Sequence, residues 1–162
     1  MFKLNVESCL KLIFILSLIS IISAYFIEYI LGHQPCNLCL LQRIPYVLAL
    51  ILVITNYIFK KNEKFILLLL ILVFTFSFFI SFYHFGIEQG FFKESTVCGL
   101  INATDVISKD ELLKQLSEKT VSCKDVTFRI FGLSLTSINI ILSLIIIIIL
   151  IRSYIVHEKN KL

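Results

Sequence analysis

The chain has 162 residues, of which 58% are hydrophobic and only 16% are charged, and its mean hydropathy is +0.94. A soluble domain of this length does not need so much apolar sequence, so the composition excludes an ordinary soluble protein and indicates a membrane protein. The formal net charge of +4 is small. No nucleic-acid-binding motif accompanies the basic residues, so nucleic acid is not predicted as a partner.

Four apolar stretches dominate the sequence, and each reaches or nearly reaches the roughly 20 residues that a membrane-spanning helix requires. They cover residues 10–31, 38–59, 65–85 and 130–151. The pattern predicts an all-α fold, an integral membrane four-helix bundle that forms a single domain over residues 1–162. The first stretch is too long for the apolar region of a signal peptide, and no small-residue cleavage site follows it. We therefore expect it to be retained as a helix.

Outside residues 32–37 and 86–127, most of the basic residues lie at one end of the predicted bundle. They precede the first stretch, link the second to the third, and follow the fourth, at Lys3, Lys11, Lys60, Lys61, Lys64, Arg152, Lys159 and Lys161. The positive-inside rule predicts that both termini are cytoplasmic and that the loops at residues 32–37 and 86–127 are on the outer side. The longer loop agrees, because it carries seven acidic residues against five lysines.

The longer outer loop contains the segment "SKDELLKQLSEKT", which is typical of a short amphipathic helix. Ser108 and Glu111 have the spacing of a capping box, and Leu112, Leu113 and Leu116 form one apolar stripe. This helix is expected either to lie on the membrane surface or to pack on its own loop.

The predicted topology places four of the five cysteines on the oxidising side of the membrane. Cys36 and Cys39 lie in the first outer loop, Cys98 and Cys123 lie in the second, and Cys9 is near the inner face. An even number of outward-facing thiols suits a disulfide system. A purely structural disulfide between Cys98 and Cys123 remains open, since closing a loop of that length stabilises a fold by roughly 3.5 kcal/mol.

Cys36 and Cys39 are three residues apart at the start of the second apolar stretch. On a helix this spacing puts both sulfurs on one face, at a separation that a disulfide can close. The unpaired N–H groups at a helix start also favour the thiolate form. Arg43 follows Cys39 by four residues, so a continuous helix would hold its guanidinium over the same face. The alternative is that Arg43 is only an interfacial anchor.

Metal and haem were weighed as alternatives for this cysteine pair. Cys36 and Cys39 could form half of a zinc site with Cys98 and Cys123, but the second pair lacks the close spacing of zinc ligands. Covalent haem attachment requires histidine directly after the second cysteine, and residue 40 is leucine. The sequence therefore predicts no metal site.

His84 ends the third apolar stretch, at the depth expected for Cys39 and Arg43. It is either a polar anchor or a hydrogen-bond donor to a bound polar head group. Glu88, four residues later, could orient His84 or be solvated, and the sequence slightly favours solvation.

Four segments together resemble the disulfide bond formation protein B (DsbB) family of quinone-dependent membrane thiol oxidases. They are "PCNLCLLQRIPY", "YHFGIEQGFF" with the following Cys98, "VSCKDV" and "FRIFGLSLTSIN". The similarity spans residues 24–143, which is most of the chain. It implies a bacterial inner-membrane oxidoreductase that re-oxidises a DsbA-like periplasmic thioredoxin-fold oxidase and passes the electrons to the membrane quinone pool.

The resemblance also assigns roles to individual residues. It implies that Cys36 and Cys39 are the quinone-coupled pair, with the thiolate on Cys39, and that Arg43 and His84 contact the quinone. The quinone, ubiquinone or menaquinone, would be bound non-covalently or as a transient adduct with Cys39. Catalysis would begin when the partner attacks the disulfide at Cys98.

Two residues complete this scheme. Cys123 would exchange with Cys36, and Cys9, which has no counterpart, would be a buried apolar thiol. The competing interpretations are an enzyme like vitamin K reductase, and a non-catalytic membrane protein with two structural disulfides. Whether the partner is a general or a dedicated thiol oxidase is left open.

Overall fold

The computed structural model describes residues 6–59, 63–93, 123–124, 129–130 and 132–159. Over these residues the all-α prediction is confirmed, because four helical segments are long and apolar enough to cross a membrane. The elements, in chain order, are α1 (Val6–Tyr29), α2 (Asn37–Leu41), α3 (Ile44–Ile58), α4 (Glu63–Glu88), β1 (Arg129–Ile130), β2 (Leu133–Ser134) and α5 (Leu135–Lys159). Helices α2 and α3 together form the second crossing.

The second crossing has a short break between α2 and α3, so the condition of a continuous helix from Cys39 to Arg43 is not met. Pro45 lies in the first turn of α3, where its missing N–H is tolerated. The backbone N–H of Arg43 bonds to the Leu40 carbonyl at 3.1 Å, a tighter turn than the α-helix has.

The last helix begins at Leu135, later than the predicted residue 130, and continues to Lys159. A small antiparallel hairpin precedes it and pairs Arg129 with Ser134. Gly132 has a φ of +83° in the hairpin turn, a conformation that glycine adopts without steric cost. The hairpin directs the chain into α5 beside the end of α4.

The core lies between the four crossings, and the outer faces of the helices carry exposed leucine, isoleucine and phenylalanine side chains suited to lipid. Its fully buried members include Ile13 of α1, Ala49 of α3, Phe74 of α4 and Leu150 of α5. Cys9 lies in the same cluster with no exposed surface. Its predicted burial is therefore confirmed.

A line of polar side chains joins α3, α4 and α5 inside the bundle. Asn139 donates to Ser81 Oγ at 2.7 Å and accepts from the Tyr46 hydroxyl, while Ser77 and Ser143 share a hydrogen bond of 3.2 Å. Polar groups without partners are costly in lipid, so these bonds hold the helices in register.

The end of the bundle opposite the cysteines is charged. Lys64 pairs with Glu158 at 2.6 Å, and Lys11 pairs with Glu7 at 2.9 Å. Three predicted features lie outside the described residues: Cys98, the amphipathic helix in the longer loop, and the lysines at 3, 60, 61 and 161.

Candidate functional site

The two cysteines of the first outer loop are held together by the start of α2. Cys36 is the N-cap residue of this helix, and its sulfur accepts the backbone N–H of Cys39 at 3.4 Å. The two sulfurs are 2.9 Å apart and are not joined in a disulfide. The two sulfurs lie on one face, as the spacing predicted, because the sulfur of Cys36 caps the helix by accepting the backbone N–H of Cys39.

Cys36 is the member of the pair on which negative charge is favoured in the reduced protein. The hydrogen bond between the two sulfurs lowers the pKa of Cys36 to about 4, and His84 acts in the same direction, while burial opposes both. Negative charge in the dithiol state is thus favoured on Cys36. The role of Cys39 as the thiolate that faces a quinone stays a prediction.

His84 connects the cysteine pair to α4 and α5. Its side chain is buried, and its Nε2 lies 3.5 Å from Cys36 Sγ. Its Nδ1 lies 3.1 Å from the Gln42 side-chain nitrogen and 3.3 Å from Thr136 Oγ1. Every polar atom of the imidazole therefore faces another polar side chain of the site, and His84 is more than an interfacial anchor.

Glu88 is half-buried and its carboxylate-bearing side chain is only 6% exposed, so the slight preference for solvation is wrong. Thr136 donates a hydrogen bond of 2.5 Å to its Oε1, which also lies 3.8 Å from His84 Nε2. Its Oε2 is buried and has no hydrogen-bond partner among the residues that the structure describes. This burial could not be predicted from the sequence, because it depends on two elements that meet only in the fold. Helix α4 continues to Glu88, and the start of α5, which follows the small hairpin, covers the carboxylate.

Arg43 is held by a residue that the sequence analysis missed. Its Nη1 donates to Glu28 Oε2 at 2.6 Å, and its guanidinium lies over the Tyr25 ring at 5.0 Å. Both partners belong to α1. The signal for Glu28 was present, because a lone acid inside an apolar stretch usually has a cationic partner.

Cys123 is buried beside the first cysteine pair, although it is distant in sequence. It lies in one apolar cluster with Cys36, Leu38 and Ile87. The structure therefore brings together three of the four predicted catalytic cysteines. The fourth, Cys98, lies outside the described residues.

One cavity of about 390 Å³ joins these groups. Its polar wall includes Cys36, Cys39, Arg43 and His84, together with Glu88 and Cys123. The remaining wall is mainly apolar and comes from α1 and α5, for example at Ile27 and Leu142. The cavity thus places a thiol pair against a surface that suits an apolar molecule.

The comparisons with known proteins agree with this geometry. The family model described as "Disulfide bond formation protein DsbB" matches residues 7–152. The chain belongs to the DsbB family. The chain is also 30% identical, over 148 residues, to a protein of Rickettsia prowazekii (strain Madrid E) named "Uncharacterized protein RP370". That match covers 90% of this chain and 86% of the relative. No solved structure matches significantly.

Membership of the DsbB family establishes the general activity of the chain. It is a disulfide-generating oxidoreductase and, with four apolar helices, a multi-pass membrane protein. The matched region contains every cysteine of the chain, together with Arg43 and His84.

Proposed function

We propose that this DsbB family member re-oxidises a DsbA-like periplasmic thiol oxidase and transfers the electrons to membrane quinone. The observation that carries the proposal is the cavity of about 390 Å³, in which Cys36 and Cys39 share one wall with Arg43 and His84. A water-soluble protein donor and a lipid-soluble acceptor must both reach such an enzyme. A thiol pair at the mouth of a membrane helix meets that requirement.

The residues of the cavity fit a quinone head group. The mainly apolar wall suits the ring, while the Arg43 guanidinium and the imidazole of His84 can donate hydrogen bonds to its oxygens. Cys39 is the sulfur that we assign to face the ring. When bound, a quinone accepts two electrons and two protons.

The thiol chemistry proceeds by exchange, in which each step breaks one S–S bond and forms another. The donor thiolate attacks Cys98 in a Cys98–Cys123 disulfide, and its second thiolate then releases Cys98, so that the donor leaves oxidised. Cys123, freed as a thiolate, attacks Cys36 in a Cys36–Cys39 disulfide and releases Cys39. Cys98 then attacks Cys123 and releases Cys36, which restores the Cys98–Cys123 disulfide and leaves Cys36 and Cys39 as the dithiol. The burial of Cys123 in one cluster with Cys36 supports this exchange.

His84 is placed to manage the proton of Cys36. Its Nε2 lies 3.5 Å from the sulfur, so it can take the thiol proton as the thiolate forms. Thr136 and Glu88 continue the hydrogen-bonded line away from the sulfur, at 3.3 Å and 2.5 Å in turn. This line offers a proton route between the cysteine pair and the cavity wall.

We further propose that the protein lies in the bacterial inner membrane with both termini in the cytoplasm. The distribution of basic residues supports this orientation. It puts the cysteine end of the bundle in the periplasm, where the donor oxidase is located.

The test is quinone reduction by the purified protein in the presence of a reduced DsbA-like donor. We expect quinone absorbance and donor thiols to disappear in equal amounts. This reaction should be absent in Cys36→Ser and unchanged in Cys9→Ser, which removes a thiol of the core. Quinone reduction with a small dithiol but not with the protein donor would favour the alternative of an enzyme like vitamin K reductase. No reduction with either donor would contradict the proposal.

A further inference from the structure

We propose that Cys36, Cys39 and His84 of the reduced protein form a binding site for a soft divalent cation such as Zn²⁺, which is lost when the two cysteines form a disulfide. The two sulfurs and a nitrogen of His84 all lie within 4.8 Å of one another, and the three residues are buried or half-buried. This site differs from the zinc site considered from the sequence, because its third ligand is a histidine of α4 instead of the second cysteine pair.

The distances between the ligand atoms suit a tetrahedral ion. With Zn–S bonds of about 2.3 Å and a Zn–N bond of about 2.0 Å, a sulfur and a nitrogen lie about 3.5 Å apart and two sulfurs about 3.8 Å apart. Cys36 Sγ and His84 Nε2 are 3.5 Å apart. The two sulfurs, at 2.9 Å, must separate by rotation of the Cys39 side chain at the first turn of α2.

Metal binding through His84 Nε2 requires the ring proton on Nδ1, so the Gln42 side-chain amide, whose nitrogen is 3.1 Å from Nδ1, must turn its oxygen toward the ring. Thr136 Oγ1 donates its own hydrogen to Glu88, so its oxygen can accept a hydrogen bond from His84 Nδ1–H, 3.3 Å away. With the proton on Nδ1, the lone pair of Nε2 points toward Cys36. A carboxylate that holds the remote N–H of a ligating histidine is a common feature of zinc sites, and here a threonine hydroxyl connects the two.

The three protein ligands leave one position of a tetrahedron open to water or another small ligand. Glu88 Oε1 lies 3.8 Å from His84 Nε2, but Glu88 does not belong to the set of residues whose ligand atoms all lie within 4.8 Å of one another. Its part is therefore to accept the hydrogen bond of Thr136, which contacts the ligating histidine.

Binding of the ion is not a redox step. Each sulfur forms one bond to the metal. Cys36 binds as the thiolate that it already is, and Cys39 loses its proton, so about one proton is released for each ion bound. A bound ion engages the lone pairs of both sulfurs and thus blocks disulfide formation until it leaves. A disulfide offers no thiolate, so the oxidised protein cannot hold the ion in this way.

Cd²⁺ titration of the reduced full-length protein tests the proposal without quinone or donor, so its failure is distinguishable from failure of the proposed function. The protein carries Cys98→Ser and Cys123→Ser, which leave only the proposed thiols and Cys9. We expect saturation at one ion per chain, a thiolate-to-metal absorption band in the ultraviolet, and release of about one proton. The oxidised form of the same protein is expected to show none of these.

Variants identify the ligands. Cys36→Ser is expected to abolish the absorption band, and His84→Ala to weaken Cd²⁺ binding by about tenfold or more. Thr136→Val keeps all ligands and is expected to weaken binding less than His84→Ala, while Cys9→Ser is the matched control with no change. Retained helical circular dichroism shows that each variant is folded. Equal affinity in His84→Ala and its parent, or equal binding by the oxidised protein, would overturn the proposal.

Discussion

At the scale of single residues, Cys36 gives the most direct prediction. A thiolate with a pKa of about 4 remains ionised throughout the pH range in which an ordinary thiol, with a pKa near 8.5, becomes protonated. The rate of alkylation at Cys36 in the reduced protein should therefore change little between about pH 7.5 and 5.5. An ordinary thiol slows by about 100-fold over the same range.

The measurement is mass-spectrometric quantification of alkylation at each cysteine, with a small neutral reagent that can enter the cavity. A free peptide containing the same "PCNLC" segment is the control for the reagent. A rate at Cys36 that falls tenfold with each pH unit would show that the sulfur contact and His84 do not stabilise its thiolate.

The ion pair of Arg43 and Glu28 yields a second prediction at this scale. Both side chains are largely buried, so loss of one partner leaves the other uncompensated. Arg43→Ala should weaken quinone binding more than Arg43→Lys, because lysine keeps the charge but loses the planar donor group. It should also lower the free energy of unfolding by roughly 1–3 kcal/mol.

A double-mutant cycle separates these two effects. Glu28→Gln in the Arg43→Ala background should restore part of the lost stability without restoring quinone affinity, as measured by thermal unfolding in detergent and by quinone titration. Equal quinone affinity in the parent, Arg43→Lys and Arg43→Ala would show that Arg43 does not contact the quinone and is only an interfacial anchor.

At the scale of elements, the turn that ends α4 depends on a close contact between Gly86 and Phe92. A Cβ at residue 86 would lie 2.1 Å from a ring carbon of Phe92, which stacks on Tyr83 at 5.6 Å between ring centroids. Gly86→Ala should displace the ring and cost about 1 kcal/mol, the worth of such a pair. It should also disturb Glu88, two residues further.

Phe92→Ala supplies the control for this prediction. It removes the ring that obstructs the new methyl group, so Gly86→Ala should cost much less in that background. Thermal unfolding of the two single variants and the double variant measures the coupling. Additive losses would show that the tight contact does not limit residue 86.

The elements also show which parts of the fold could be predicted from the sequence. The crossings were predictable because a spanning helix needs a long apolar run, and the cysteine pair because a spacing of three puts side chains on one face. The break before Arg43 was less visible, since Pro45 is compatible with both a helix start and a mild bend. The hairpin before Leu135 was hidden inside an apolar run.

The partners within the site could not be predicted for a physical reason. Gln42, Thr136 and Glu28 act through contacts between different helices, and these depend on how the helices pack and rotate. A single sequence specifies the apolar length of each helix far better than its rotation. The burial of Glu88 follows from the same packing, because a residue of α5 supplies its hydrogen bond.

At the scale of the whole molecule, the proposed function requires the bundle to serve two kinds of redox partner. Its apolar exterior and the α1 and α5 wall of the cavity suit a lipid-soluble acceptor, while the cysteine end holds Cys123 beside Cys36. In the proposed function, the four helices are the scaffold that keeps both partners in contact with one thiol system. Electron transfer between the partners would then require exchange between the two cysteine pairs.

The order of that exchange can be tested by removing one thiol. In the Cys123→Ser variant, Cys98 cannot form its disulfide, so a donor thiolate has no S–S bond to attack there. Cys98 is therefore first converted to a mixed disulfide with a small aromatic thiol. The donor thiolate should then displace the small thiol and remain joined to Cys98. Because Cys123 is absent, the electrons of the donor cannot pass on to Cys36.

The expected product is a covalent complex of the protein and a donor whose second active-site cysteine is replaced by alanine, seen on a non-reducing gel and released by reductant. The matched control is Cys98→Ser with Cys123 intact, which should form much less complex because Cys123 is buried and less accessible to a protein donor. Activation of Cys36 by the same small thiol should not substitute for that of Cys98. A complex that forms at Cys36 instead would reverse the order of the two pairs and make the first loop the entry point for electrons.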